Sequence, residues 1–119
     1  MHRIPINLDL SSLSGLQCTQ VAIGEHELII RFHPEGAITI EGHWLLKDER
    51  GVIIDRSIEH ADRNSWSIPK ILGKNISKCE VKDDRHLVIF FGGLELQIED
   101  SSDQYESFTV EHAGLKLYV

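Results

Sequence analysis

The amino-acid sequence predicts an all-β fold, an antiparallel β-sandwich or partly open barrel built from two pseudo-repeated five-strand meanders with one or two short helical turns. Three observations predict it. The first is internal repetition. Gly15, Val21, Ile23, Ile38, Ile40 and Glu41 match Gly73, Cys79, Val81, Leu96, Ile98 and Glu99, while Leu28, Ile30 and Phe32 match Leu87, Ile89 and Phe91. Gly51-Val52 then matches Gly114-Leu115, so the separation drifts from 58 to 63 residues. Units repeated at a fixed period bury their apolar faces against one another. The second observation is that apolar and polar residues alternate along most of the chain, the period of a strand with one buried face. The third is that the alternating segments are joined by connections of about two to five residues, too short for the crossover helices of a parallel sheet.

Taken in order, Asp9 to Gly15 reads as one helical turn, with Asp9 or Ser11 as cap and Gly15 as exit. Leu16, Cys18, Val21 and Ile23 form a strand with an irregularity near Thr19, and Gly24-Glu25-His26 turns the chain. Leu28, Ile30 and Phe32 make the inward face of the next strand. His33-Pro34-Glu35-Gly36 is a turn because Pro fixes φ and Gly supplies a positive one, and Ala37 to Ile40 follows. The hairpin His43–Lys47 and Val52–Ile58, about the turn Asp48-Glu49-Arg50-Gly51, completes the unit.

The stretch from Glu59 to Ser65 carries no apolar side chain larger than Ala and reads as the linker between halves. Ser65 to Gly73 repeats the helical turn, with Pro69 in its first turn and Gly73 at its exit. Ile76–Lys82, Leu87–Phe91 and Leu94–Glu99 are the next strands, turning at Asp83-Asp84-Arg85 and Gly92-Gly93. After Ser101-Ser102-Asp103-Gln104 come Tyr105–Glu111 and Leu115–Val119. The last strand, ending on Val119, is expected to pair inside a sheet, and an open apolar edge offers a route to a homodimer.

With 119 residues the chain is one domain, residues 1–119, with pseudo-repeats about 9–58 and 65–119. At that length folding buries roughly two-thirds of the unfolded surface, enough core without metal or disulfide staples. Apolar residues at 41% and charged ones at 26% exclude disorder. Cys18 and Cys79, at non-equivalent repeat positions, give no disulfide framework and read as reduced apolar fillers of a cytoplasmic protein. No signal peptide and no bilayer-spanning run is expected. The net charge of −7 argues against nucleic acid or an anionic membrane as partner and for a basic one.

Catalytic and cofactor patterns are absent. His2, His26, His33, His43, His60, His86 and His112 lack the local pairing of metal ligands, and most fall at turns. Neither cysteine sits beside a base on a Gly-flanked elbow, and Gly92-Gly93 lacks the helix and Lys of a phosphate cradle. No cofactor or metal is expected, and no enzyme. The one constellation with binding chemistry is the acidic tract Glu95, Glu99, Asp100, Asp103 and Glu106, with Glu111 beyond, interleaved with Tyr105 and Phe108. Carboxylates around an aromatic anchor suit the Arg and Lys of a basic protein. Trp66 is a second anchor candidate, whereas Trp44 alternates with Leu46 and belongs to the core.

The run Phe91-Gly92-Gly93-Leu94-Glu95-Leu96-Gln97-Ile98-Glu99-Asp100, continued by Tyr105-Glu106-Ser107-Phe108, resembles a pattern in small bacterial all-β proteins. Some of those groups are similar to immunity proteins of polymorphic or contact-dependent toxin systems. The resemblance implies a protein that neutralises a cognate toxin, expected to be a nuclease, by covering its basic active site. Glu95, Glu99, Asp100, Asp103, Tyr105, Glu106 and Trp66 would form the contact. The alternative is a small-molecule-binding or enzymatic β domain with a groove between the two repeats.

Overall fold

The computed structural model describes residues 3–57, 65–100, 107–112 and 114–119. In chain order its strands are β1 (Gln17–Ile23), β2 (Leu28–His33), β3 (Ala37–Ile40), β4 (His43–Lys47) and β5 (Ile53–Arg56), then β6 (Lys78–Asp83), β7 (His86–Phe91), β8 (Leu94–Glu99), β9 (Phe108–His112) and β10 (Leu115–Tyr118). Two 3-10 turns, Ser11–Leu13 and Ile68–Ile71, precede β1 and β6. Both stand where the sequence places them. Asp9 Oδ1 accepts the N–H of Ser11 at 2.9 Å, and Pro69 lies in the first turn of the second. The expected irregularity at Thr19 is a register shift between Cys18 and Gln20. The linker expected at 59–65 lies mostly outside the described residues.

Both sheets are antiparallel and five-stranded, ordered β1-β2-β3-β9-β10 and β5-β4-β8-β7-β6. Neither half is therefore a five-strand meander of its own. Each half lays three strands into one sheet and passes its closing hairpin to the other, so β9-β10 extends the first sheet and β4-β5 the second. The crossing points hold each other: the N–H groups of Glu41 and Gly42, between β3 and β4, both donate to the carbonyl of Ser107, just ahead of β9, at 2.8 Å.

A pseudo-twofold axis relates the halves. At their seam Gln17 and Asn75 face each other as an isolated antiparallel pair. Around it the backbone bonds come in matched twos: Gly15 N–H to Ile76 O at 2.7 Å with Gly73 N–H to Cys18 O at 2.8 Å, and Ile76 N–H to Leu16 O at 2.8 Å with Cys18 N–H to Lys74 O at 2.9 Å. The side chains obey the same symmetry, Gln17 Nε2 donating to Gly73 O and Asn75 Nδ2 to Gly15 O at 3.2 and 3.1 Å. Gly15 and Gly73 take φ of +92° and +80°, a region that costs any residue with a Cβ, which is why the repeat carries Gly at both places.

The core lies between the sheets. Leu28, Ile30 and Phe32 from β2, Leu87, Ile89 and Phe91 from β7, and Trp44 and Leu46 from β4 are all buried, as alternation predicts. Leu10, Leu13, Ile68 and Ile71 from the turn segments plug its ends. Trp66 packs partly buried against the same cluster. One expectation fails: among the described residues β10 pairs with β9 alone and forms the edge of its sheet. The hairpin handed over from the second half joins the sheet from outside, which leaves its last strand outermost.

Candidate functional site

The outer face of the second sheet gathers the side chains best placed for chemistry. Alternation along β8 turns Leu96 and Ile98 inward and Glu95, Gln97 and Glu99 outward. Because β8 lies between β4 and β7, the register sets Glu99 between His43 and His86, Gln97 between Leu45 and Val88, and Glu95 between Lys47 and Phe90. The bulge at Asp83 carries the first of these rungs one step further, to Asp83 opposite His86.

That rung is a chain of imidazoles and carboxylates. His43 Nδ1 lies 3.5 Å from Glu99 Oε2, and His86 Nε2 lies 3.5 Å from Glu99 Oε1. His86 Nδ1 is 2.8 Å from Asp83 Oδ1 and must carry the proton there, since an ionised carboxylate only accepts. This bond, with that from the Arg85 N–H, holds the Asp83 carboxyl below its ordinary pKa. In a neutral His86 the Nε2 facing Glu99 is an acceptor, so the contact with Glu99 becomes attractive only on protonation. Two shallow clefts flank the rung. One of about 180 Å³ is lined by His43, Trp44, Leu45, His86, Gln97 and Glu99, and the other, of about 190 Å³, shares His43, Trp44, Leu45 and Glu99 but has Ile53, Arg56 and Ser57 in place of His86 and Gln97.

The residues singled out in the sequence separate in space. Glu95 and Glu99 share this face, both partly exposed. Glu95 accepts a hydrogen bond from Gln97 Nε2 and sits directly across from Lys47. Asp100 requires a correction: its side chain is 0% exposed and offers nothing to a partner. Arg3 reaches its Oδ2 at 2.7 Å and the Ser107 hydroxyl donates to its Oδ1 at 3.0 Å. The strand period breaks at the end of β8, where Asp100 N–H donates to Arg85 O at 2.7 Å and turns the carboxylate into the protein. Asp100 and Ser107 thereby tie together the two ends of the segment 101–106. Asp103, Tyr105 and Glu106 lie outside the described residues. Trp66 lines neither cleft beside Glu99; it leads into the second 3-10 turn, whose Ser67 and Ile68 N–H groups are capped by Asp55 Oδ2 at 2.7 and 2.8 Å.

The face is also less acidic than the tract suggests. Lys47, Arg56 and Lys78 share it, and Lys78 Nζ pairs with Glu80 Oε2 at 3.0 Å. Sequence reasoning missed His43, His86 and Asp83: the histidines show no local pairing, although His43 opens an expected strand, and Asp83 reads as part of a turn. Their outward phase was readable from alternation, but their meeting on Glu99 depends on which strands flank β8.

No Ser hydroxyl or Cys thiol is hydrogen-bonded to either imidazole of the rung among the described residues. Nor is any group of three His, Cys, Asp or Glu side chains there placed to hold a metal ion. Both cysteines are free thiols. Burial pushes the Cys18 thiol up to about 11 and, together with the Glu80 charge, that of Cys79 up to about 12. No helix among the described residues is long and apolar enough to cross a membrane. No family model matches the chain, and neither a curated protein nor a solved structure does.

Proposed function

We propose that this chain is a non-catalytic protein-binding domain of the immunity kind, which neutralises a cognate bacterial toxin by covering a basic active site with the outer face of its second sheet. The observation that carries the reading is Glu99, a half-exposed carboxylate lining both clefts whose ion-pair contacts among the described residues are both imidazoles. A guanidinium or ammonium from a partner can take the place of either ring at little cost, since contacts between exposed charges contribute only about 0 to 1 kcal/mol. Leu45, partly exposed on the next rung, supplies apolar surface for such a contact. Asp103, Tyr105 and Glu106 follow directly from the anchored Asp100 and extend the same acidic sequence. The proposed localisation is cytoplasmic, and the proposed toxin is a nuclease, whose phosphate-binding Lys and Arg these carboxylates would meet.

The test is capture of the partner from the native host, or co-expression with a neighbouring gene that is toxic alone, followed by affinity measurements. Glu99→Gln and Glu95→Gln are expected to slow association, reduce its salt dependence and together weaken binding at least tenfold. An unchanged affinity of the double variant for a demonstrated partner would discard this face. Asp100 does not belong in that series, because its loss damages the fold. The second reading, a small-molecule or catalytic domain, draws on the clefts being lined by both halves of the chain; saturable binding of a metabolite there, with the partner absent, would favour it.

A further inference from the structure

We infer that the outer face of the first sheet is a self-association surface for a second copy of this chain, independently of the function proposed for the second sheet. The register of β1, β2, β3, β9 and β10 sets out two outward rungs. One reads Gln20, Arg31, Ala37, Glu111, Lys116, and the other Ala22, Ile29, Thr39, Thr109, Tyr118. Ala37 and Thr39, on the central strand, keep the middle of the face low. Arg31 and Glu111 stand one strand to either side of Ala37, roughly 10 Å apart at the backbone, and no ion pair joins them among the described residues.

This pattern is complementary to itself. Two copies laid face to face about a twofold axis running along β3 bring Arg31 of each onto Glu111 of the other. The same operation seats Tyr118, 44% exposed, over Ala22 of the second copy and Ile29 over Thr109. Opposite charges meet twice and the large ring meets the smallest side chain, as an isologous contact requires.

The pseudo-twofold supplies an internal control. At the positions equivalent to Ala22, Ala37 and Thr39 the second sheet carries Glu80, Glu95 and Gln97, long polar side chains that hold another sheet off. The duplication thus leaves one outer face low and one built up. The open edges are poorer candidates: β10 has four residues and carries Lys116, and β1 is bulged at Thr19. A face roughly 24 Å wide falls at the small end of dimer interfaces, so the association is expected to be reversible and micromolar or weaker.

Sedimentation equilibrium of the full chain from micromolar to millimolar concentration tests it. The expected result is a monomer–dimer equilibrium in which Arg31→Glu and Glu111→Arg each raise the dissociation constant roughly tenfold or more, because each reversal acts at two symmetric contacts. The exchanged double variant Arg31→Glu/Glu111→Arg is expected to restore it. Both residues are exposed on strands, and unchanged thermal unfolding of the monomer checks that the variants fold. A chain that stays monomeric at millimolar concentration overturns the proposal. So does a dimer indifferent to the single reversals, or one that the double exchange does not rescue.

Discussion

Phe32 and Phe91, near the ends of β2 and β7, stack on each other, their ring centroids 6.4 Å apart and their planes 8° from parallel. They occupy the same position in the two halves, so the pseudo-twofold that relates the sheets passes between the rings. A residue that packs against its own counterpart couples the halves directly. Phe32→Leu and Phe91→Leu are each expected to destabilise the fold by about 1 to 2 kcal/mol. The double variant is expected to fall short of the sum by about 0.5 to 1.5 kcal/mol, the worth of an aromatic pair beyond its area. Urea unfolding of the four proteins measures it, and strict additivity would show that the stacking contributes nothing of its own.

Gly15 and Gly73 should respond alike to substitution. Both hold positive φ, and a Cβ at either would meet nothing within 4 Å, so the cost is backbone strain without a clash. Gly15→Ala and Gly73→Ala are each expected to cost about 1 to 2 kcal/mol. Matching losses in chemical denaturation would follow from the symmetry; a much larger loss at one site would mean the seam is not equivalent on its two sides.

The buried pair of Arg3 and Asp100 should reveal its character in a second cycle. Arg3→Ala strands a carboxylate that is wholly inside the protein, at about 3 kcal/mol or more. Asp100→Asn keeps an acceptor for the Ser107 hydroxyl and leaves an arginine already 29% exposed, so its expected cost is smaller, about 1 to 2 kcal/mol. Adding Asp100→Asn to Arg3→Ala is expected to recover stability. If Arg3→Ala leaves the urea midpoint where it was, the carboxylate has found another partner.

The cysteines set an alkaline limit. Their thiols have folded pKa values of about 11 and about 12 against an ordinary value of 9.0, so the unfolded chain loses its protons first. Stability should hold below pH 9, fall as pH rises past it, and level off only above the folded values. Denaturation midpoints between pH 8 and pH 10.5, compared with those of a Cys18→Ala/Cys79→Ala variant, measure the contribution. A wild-type curve parallel to that of the variant would refute it. Below pH 9 both thiols should react with a thiol reagent far more slowly than in the unfolded chain.

Much of the local structure was readable in the sequence. The two 3-10 turns, the bulge at Thr19, the hairpin at Gly92-Gly93 and the buried alternation of β2 all follow from rules acting within a few residues, whereas Val88 on β7 is buried out of phase with its neighbours. The candidate site was read less well for a related reason. Glu95 and Glu99 follow the period of their strand and face outward, whereas Asp100, one residue past it, does not. A run of carboxylates looks continuous until the backbone turns. His43, His86 and Asp83 are far from Glu99 in the chain or separated from it by a turn, and only strand pairing brings them onto one rung.

The sequence by itself determined that the chain is all-β, that it is built twice, and which side of each strand is apolar. Those properties depend on a period of two and on turn chemistry, both local. The tertiary structure alone decided which layer each hairpin joins, that the halves exchange hairpins, that β10 lies at an edge, and that Asp100 is interior. A connection of two or three residues can fold a hairpin within one sheet or carry the chain across to the next. Alternation is satisfied either way. The choice falls to burial of the whole apolar surface, a sum over contacts between residues some 60 positions apart, such as Phe32 with Phe91 and Gln17 with Asn75.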